Sequence, residues 1–498
     1  MVSGARRLGV IASLVAVLVH VRTIWFGFTE LDDRDLVVDD HAFLVRPGSI
    51  VEAFGRAYMH VVDRGHAYYR PLVTVSYALD ARWSGVNPAG YHATNVALHA
   101  IATALFFALL ERFALPPVVA LGGALVFAVD PALASAVAWI PGRNDSLFAV
   151  FALSAWLCFM RDRARPSLPG RALHFAFFAL ALLTKETAIA LPLVWAAEVV
   201  IVDGERRWRA SAVPYAVGWA ALCVGLVVVH GALASESSGV RLALLVTNLP
   251  VLAASLGKVV FPFAPTALAV AADVSAWPGV LAAGGLIAGA LLVPGVRGRV
   301  VCFGIAAFVA LLAPVLAAPG TLLLDNRLYL PACGVLVALA ELARAAAFAR
   351  EKPVEPRLFV ALSLVLVGVL AAVTAGYEGA FQDRRTFARE AVAGSPHSPL
   401  AHFCLGQSYQ LDGDAEPAFA EYQASLALGP GEVVHNNLAV LYMAVARWAD
   451  AERELRAELA MNPRYAKAFA NLAIVLRREG RADEAREASE AARELEEP

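Results

Sequence analysis

Lysine is almost missing from this chain: of its 41 basic residues, only Lys185, Lys258, Lys352 and Lys467 are lysines. Charge of either sign is scarce, at 17% of residues, and the net charge is -2. Near-neutrality excludes the basic field that a nucleic-acid partner requires, so none is expected. The five cysteines (Cys158, Cys223, Cys302, Cys333, Cys404) stand singly, which excludes a disulfide framework or a cysteine metal spacing. Four of them lie in apolar stretches and read as small buried hydrophobes. Apolar residues fill the rest: 59% are hydrophobic and the mean hydropathy is +0.62. Soluble domains hold about 45–50% apolar residues, so a mainly α, polytopic integral membrane protein is expected.

Spans of about 20 apolar residues are predicted at 8–28, 93–111, 117–138, 145–160, 171–184, 187–202, 211–231, 277–294, 299–318, 328–346 and 357–376. The first ends on Trp25-Phe26-Gly27-Phe28, an interfacial pattern and not a cleavage site, so it reads as a retained helix. Arginines flank 171–202 on both sides (Arg161 to Arg171; Arg206, Arg207, Arg209). The positive-inside rule then places both flanks in the cytoplasm, with Lys185-Glu186 at an outer turn. Residues 243–263 are read as a re-entrant or interfacial helix. Eleven crossings follow, with the N-terminus inside and the C-terminus outside. Segment 29–92, loop 139–144, Lys185-Glu186, loop 319–327 and the C-terminal region then share the outer face.

Three domains are expected: a membrane domain over 1–376, a linker over 377–398, and repeats over 399–498. The repeats have a period of 33–34. Leu405, Gly406, Tyr409, Ala418, Tyr422 and Pro430 are followed in register by Leu438, Ala439, Tyr442, Ala451, Leu455 and Pro463, then by Leu472, Ala473, Leu476 and Ala485. This is tetratricopeptide spacing, and three such repeats are about the minimum for a continuous core. They predict either a groove for a protein or peptide or a stabilising cap.

Asp32-Asp33, with Asp39 and Asp40 close behind, form a dense acidic cluster at a membrane edge. Carboxylates there suit general-base work, a metal site or a solvated turn. Arg70, in Tyr68-Tyr69-Arg70-Pro71, either grips a phosphate or satisfies groups of its own loop. His92, Asn95 and His99 share one helix face and are expected to line a polar cleft or to make structural hydrogen bonds; as a metal pair they are weak. Asn144 or Asp145 caps a helix beside Arg143. Lys185-Glu186 is either an internal ion pair or a lipid-phosphate contact. Lys258 reads as a snorkelling lysine. Arg327 and Tyr329, in Asp325-Asn326-Arg327-Leu328-Tyr329-Leu330-Pro331, suit either a lipid-phosphate head group or an interfacial anchor.

Taken in order, the Asp-Asp pair, Tyr-Tyr-Arg-Pro, Tyr91-His92-x-x-Asn95-x-x-x-His99, Trp139-Ile140-x-Gly142-Arg143-x-Asp145, Thr184-Lys185-Glu186, Arg327-Leu328-Tyr329-Leu330-Pro331 and the repeats resemble the transmembrane and tetratricopeptide-repeat O-mannosyltransferases and their bacterial relatives. These are polytopic C-type glycosyltransferases. The resemblance implies an inverting enzyme in a bacterial inner membrane, with its repeats in the periplasm. It implies a polyprenyl-phosphate-linked sugar donor, mannose among the sugars, and a protein or envelope acceptor. Asp32 or Asp33 would take the acceptor's proton. Arg70, Arg143, Lys185, Arg327 and Tyr329 would hold the departing phosphate. Tyr69, His92, Asn95, His99, Asp145 and Glu186 would line the cleft. No metal ligand is specified, and a divalent cation stays open as a cofactor. One stretch departs from the pattern: Asp130 stands where relatives carry a histidine, and Ser135 where they carry a glutamate. That departure allows a different acceptor, a shifted role for Asp130, or an inactive scaffold displaying repeats. A lipid-glycan transporter or ligase is a weaker third reading.

Overall fold

The computed structural model describes residues 2–59, 68–203, 209–233, 242–317, 322–349, 353–431 and 433–496. The middle of the first loop, Arg206, Arg207, Lys352 and residues 319–321 lie outside the described residues.

Helices of at least seven residues are numbered in chain order. They are α1 Val2–His20, α2 Pro71–Ser84, α3 Pro88–Arg112, α4 Pro117–Val129, α5 Arg143–Ala164, α6 Leu168–Leu182, α7 Leu191–Ala197, α8 Arg209–Leu233, α9 Leu249–Val260, α10 Trp277–Leu292, α11 Gly298–Leu316, α12 Tyr329–Phe348 and α13 Pro356–Glu378. Beyond them come α14 Arg384–Gly394, α15 Pro399–Asp412, α16 Ala415–Leu428, α17 Val434–Ala444, α18 Trp448–Met461, α19 Ala466–Arg478 and α20 Ala482–Glu496. Proline opens α2, α3, α4, α13 and α15, where its missing N–H costs nothing. The only described strands, Ala269–Val270 (β1) and Leu322–Leu323 (β2), pair antiparallel.

This is an integral membrane protein. Arg7–Trp25, Pro88–Arg112, Ala212–Gly231, Gly298–Leu316, Asp325–Phe348 and Pro356–Phe381 are long and apolar enough to cross a bilayer. A seventh such span is a bent pair, Pro117–Val129 with Pro131–Ala138, turning by 50°. The bend falls at Asp130-Pro131, where proline cannot continue the helix and Asp130 Oδ1 accepts the Ala132 N–H at 2.9 Å. The remaining predicted spans coincide with helices that are shorter or more polar: α5, α6, the broken stretch through α7, and α10. Segment 243–263 is broken at Asn248, whose amide donates to Leu316 O at 2.7 Å. Its longer half, α9, has 12 residues, about 18 Å against a core of about 30 Å. It is therefore too short to cross.

Small residues set the close crossing of α11 and α12. A methyl group added at Gly304 or Gly334 would meet the other glycine's carbonyl oxygen at 2.4 Å, so only glycine lets α11 and α12 approach this closely. The first and last of these spans are latched to each other. His20 pairs with Glu378, and Arg22 Nε donates to Glu378 Oε2 at 3.0 Å.

Helices α15 to α20 form three successive hairpins. The repeated positions are their contact positions: Ala418, Tyr422, Ala439, Ala451 and Leu455 are fully enclosed. A side chain at Gly406 would strike the Tyr422 ring at 2.7 Å. Phe387 and Ala391 of α14 share a core with Phe26, Trp139, Leu268 and Phe381, which seats the C-terminal hairpins on one end of the membrane domain.

Candidate functional site

That same end gathers the polar segments. Asp33 is 1% exposed. Its Oδ2 accepts Thr29 N–H at 2.6 Å and Thr29 Oγ1–H at 3.0 Å, while Oδ1 has no hydrogen-bond partner. Burial outweighs those bonds, with help from the Asp32 and Glu30 charges, and pushes its carboxyl up to about 7. Trp139 Nε1 donates to Thr29 Oγ1 at 3.2 Å, tying the first loop to the second. Asp32 is half-buried, and its charge is felt by the enclosed Tyr58. Asp40 is buried and Asp39 exposed.

Tyr58 leads to the cations. The Arg70 guanidinium lies 5.4 Å from the Tyr58 ring centre and 4.4 Å from that of Tyr68. It grips Glu186 bidentately at 2.9 and 2.5 Å. Burial alone would raise the Glu186 carboxyl, but Arg70 and Lys185 overcome it and hold it down at about 2. Lys185 is 6% exposed and reaches Asp145 Oδ1 at 2.5 Å. Its burial outweighs Asp145 and lowers its pKa. Asp145 Oδ2 accepts from Asn326 at 2.8 Å. Arg327 is half-buried next to these charges and interacts with Tyr68, Asp145, Arg70 and Glu186. Four segments distant in sequence thus meet here.

Arg327 also faces a pocket of about 370 Å³, counting its open mouth. Val251, Ala254, Leu312, Val315 and Leu316 wall it with hydrocarbon, and Lys258 stands beside Arg327. Lys258 does not snorkel: its Nζ donates to Asp325 Oδ1 at 2.5 Å and to Thr266 Oγ1 at 2.8 Å. A second, shallow pocket, about 260 Å³ with its open mouth counted, shares Leu324 and Asp325 with the first.

Several predicted site residues are elsewhere. Arg143 is fully enclosed. It pairs with Asp80 at 2.6 Å and donates to Asn95 Oδ1 at 2.9 Å, Ser76 Oγ at 3.3 Å and Tyr91 O at 2.7 Å. With its donors occupied it braces the loops and has no path to a donor phosphate. Tyr329 is also enclosed, bonded to His99 at 2.6 Å, and reaches no phosphate. The cleft expected of His92, Asn95 and His99 is corrected too, because all are at most 1% exposed and face neither pocket. Asn95 spans the carbonyls of Val137, Trp139 and Ile140, and His99 meets Ala128 O at 3.1 Å. His92 lies 3.4 Å from Gly27 O. Tyr69 is buried, its hydroxyl on Phe54 O at 3.0 Å. Among the described residues no three carboxylate, imidazole or thiol groups converge on one point.

Sequence reasoning passed over Tyr58, Asp80, Thr266 and Asn326. Asn326 lay inside a quoted motif and Asp80 on a helix with Tyr77. Tyr58 carried no local signal.

Residues 87–230 match the family described as dolichyl-phosphate-mannose-protein mannosyltransferase. The chain is 34% identical to Protein O-mannosyl-transferase Tmtc1 of Drosophila melanogaster over 36% of its own length and 21% of that protein. It is 29% identical to Protein O-mannosyl-transferase tmtc2 of Xenopus laevis over 30% of its length and 18% of that protein. It is 33% identical to Protein O-mannosyl-transferase TMTC3 of Mus musculus over 20% and 11%. The chain thus spans a fifth or less of these curated relatives, apart from a slightly longer match to the Drosophila protein.

Proposed function

We propose that this protein is an inverting membrane glycosyltransferase that moves a sugar from a polyprenyl-phosphate donor to a protein or envelope acceptor. One observation carries the reading. Two cations, Lys258 and Arg327, line a hydrocarbon-walled pocket, Arg327 interacts with Arg70 and with the partners of Lys185, and the Asp32 charge reaches Tyr58 next to Arg70. A long apolar chain with one phosphate complements such a pocket. Two relatives' names and the matched family point to the same chemistry.

In this mechanism Asp32 accepts the proton of the acceptor hydroxyl. The oxygen attacks the anomeric carbon from the face opposite the phosphate, and the bond from carbon to phosphate oxygen breaks. The lipid phosphate leaves with the bonding pair, against Arg327 and Lys258. Stabilising that charge where water is thin is worth most. Arg70 and Lys185 act through Glu186 and Asp145, which fix their position. Asp33 holds the loop through Thr29. We place this end of the molecule on the periplasmic face. The C-terminal hairpins read as tetratricopeptide repeats presenting a peptide.

The scaffold reading draws on the carboxylates already paired with Arg70 and Lys185. Transfer from polyprenyl-phosphate mannose and related donors to envelope acceptors separates the two. The transferase reading expects Asp32→Asn to cost about 10²-fold or more with folding intact. No transfer by the wild type, or equal transfer by both, refutes it.

A further inference from the structure

We propose that the turn from Thr266 to Asp273 positions Lys258, and that the C-terminal hairpins hold this turn in place. The lysine end is a closed triangle. Lys258 Nζ donates to Thr266 Oγ1 at 2.8 Å and to Asp325 Oδ1 at 2.5 Å, and the Thr266 N–H donates to Asp325 Oδ2 at 3.2 Å. Asp325 draws the lysine by charge. Thr266 gives direction, because its hydroxyl and its backbone fix where the ammonium sits relative to that carboxylate. Lysine is a point charge on a flexible stem, so a second fixed acceptor turns an ion pair into a defined position.

The turn does not hold itself. Leu268, two residues on, has φ +54°, in the left-handed region that a leucine side chain disfavours. A residue stays there only when its surroundings over-determine it, and here they do. Ala267 and Leu268 lie in one core with Phe387 and Ala391 of α14 and Leu405 of α15. A methyl group at Gly394, the last residue of α14, would meet the Thr266 side chain at 3.4 Å. The buried Ser395 hydroxyl donates to Ala267 O at 3.4 Å. At the far end Asp273 accepts the His397 N–H at 3.1 Å and pairs with its Nδ1 at 2.6 Å. Between these points β1 pairs with β2, which ends two residues before Asp325. One turn thus touches both the hairpins and the lysine, and a shift of α14 or α15 against the membrane domain is carried to Lys258. That Lys258 holds a lipid phosphate rests on the transferase reading; how it is held does not.

The test is acetylation of the full chain in detergent by a water-soluble succinimidyl ester, read by mass spectrometry. Lys467, exposed on α19, is the internal reference. Thr266→Val removes the acceptor and keeps the shape. It should speed labelling of Lys258 about fivefold, the order of one hydrogen bond, and Thr266→Ser should restore the wild-type rate. Asp273→Ala with His397→Ala opens the clasp without leaving an unpaired charge, and should speed labelling of Lys258 about twofold or more. The proposal is overturned if Thr266→Val labels like the wild type, if Thr266→Ser labels like Thr266→Val, or if the clasp variant labels like the wild type. Faster labelling of the buried Lys185 in the same variants would mean general loosening, and overturns it equally. The same proteins are then titrated with polyprenyl phosphate. A wild type that binds no lipid, with Lys258 labelling as expected across the variants, would sink the transferase reading and leave the positioning role standing.

Discussion

The two ends of the membrane domain both pair their charges but differ in the neutral and carboxyl oxygens they leave without partners. At the end away from the C-terminal hairpins, the buried carboxylates Glu341, Glu198 and Asp162 among the described residues are saturated. Glu341 accepts from Arg297 N, Nε and Nη2 at 2.6–2.9 Å and from Arg344 at 2.6 and 2.9 Å. Glu198 takes Trp156 at 3.1 Å and Arg163 at 2.8 Å, and Asp162 takes Ser167 N, Tyr215 and Arg171. At the other end Asp33 Oδ1, Asn144 Oδ1, Ser135 Oγ and the Tyr377 hydroxyl oxygen lack partners, and Arg327 and Lys258 border a pocket. Saturation is what folding alone demands of buried charge. Of the unpartnered groups, Ser135 and Tyr377 line a pocket, and ionisable groups beside such openings are where function is sought.

Breaking a saturated cluster should cost stability. Glu341→Ala leaves Arg297 and Arg344 facing a void, and the loss expected is about 3–5 kcal/mol. Denaturant melting in detergent reads it, and a loss under 1 kcal/mol would erase the contrast. At the open end, Lys258→Met removes a charge bordering the pocket. Made together with Asp325→Asn, which avoids leaving a buried carboxylate unpaired, it should weaken polyprenyl-phosphate binding about tenfold, the order of one charged hydrogen bond, while melting stays near wild type. Native mass spectrometry with the lipid checks this.

A third effect concerns pH. The Asp33 carboxyl titrates near 7 when folded, against 3.8 ordinarily. Between those values the folded chain holds a proton that the unfolded chain releases, so stability falls as pH rises through that window. Asp33→Asn should flatten the dependence and melt higher at neutral pH. A parallel pH profile in the variant would show that Asp33 is not the group responsible.

Hydropathy made the membrane fold legible, because each predicted span coincides with a helical segment and the break at Asn248 separates the two halves of 243–263. Arginine placement brought loop 29–92, loop 139–144, Lys185-Glu186 and Arg327 to one end, and they meet there. Partner choice was not legible. Arg143 and Arg70 carry the same charge, yet Asp80 on a neighbouring helix seals the first, while the second shares Glu186 near open space. Nor could spacing show that His92, Asn95 and His99 turn inward, since a polar face on a helix looks alike whether it meets a cleft or the carbonyls of a bent neighbour.

The account turns on one contrast between arginines. Donor dependence of transfer, measured for Arg327→Gln and Arg344→Gln in parallel, tests it most directly. The account predicts a rise in KM for polyprenyl-phosphate sugar of about tenfold or more for Arg327→Gln, and an unchanged KM for folded Arg344→Gln. Equal shifts, or a larger one for Arg344→Gln, would contradict it.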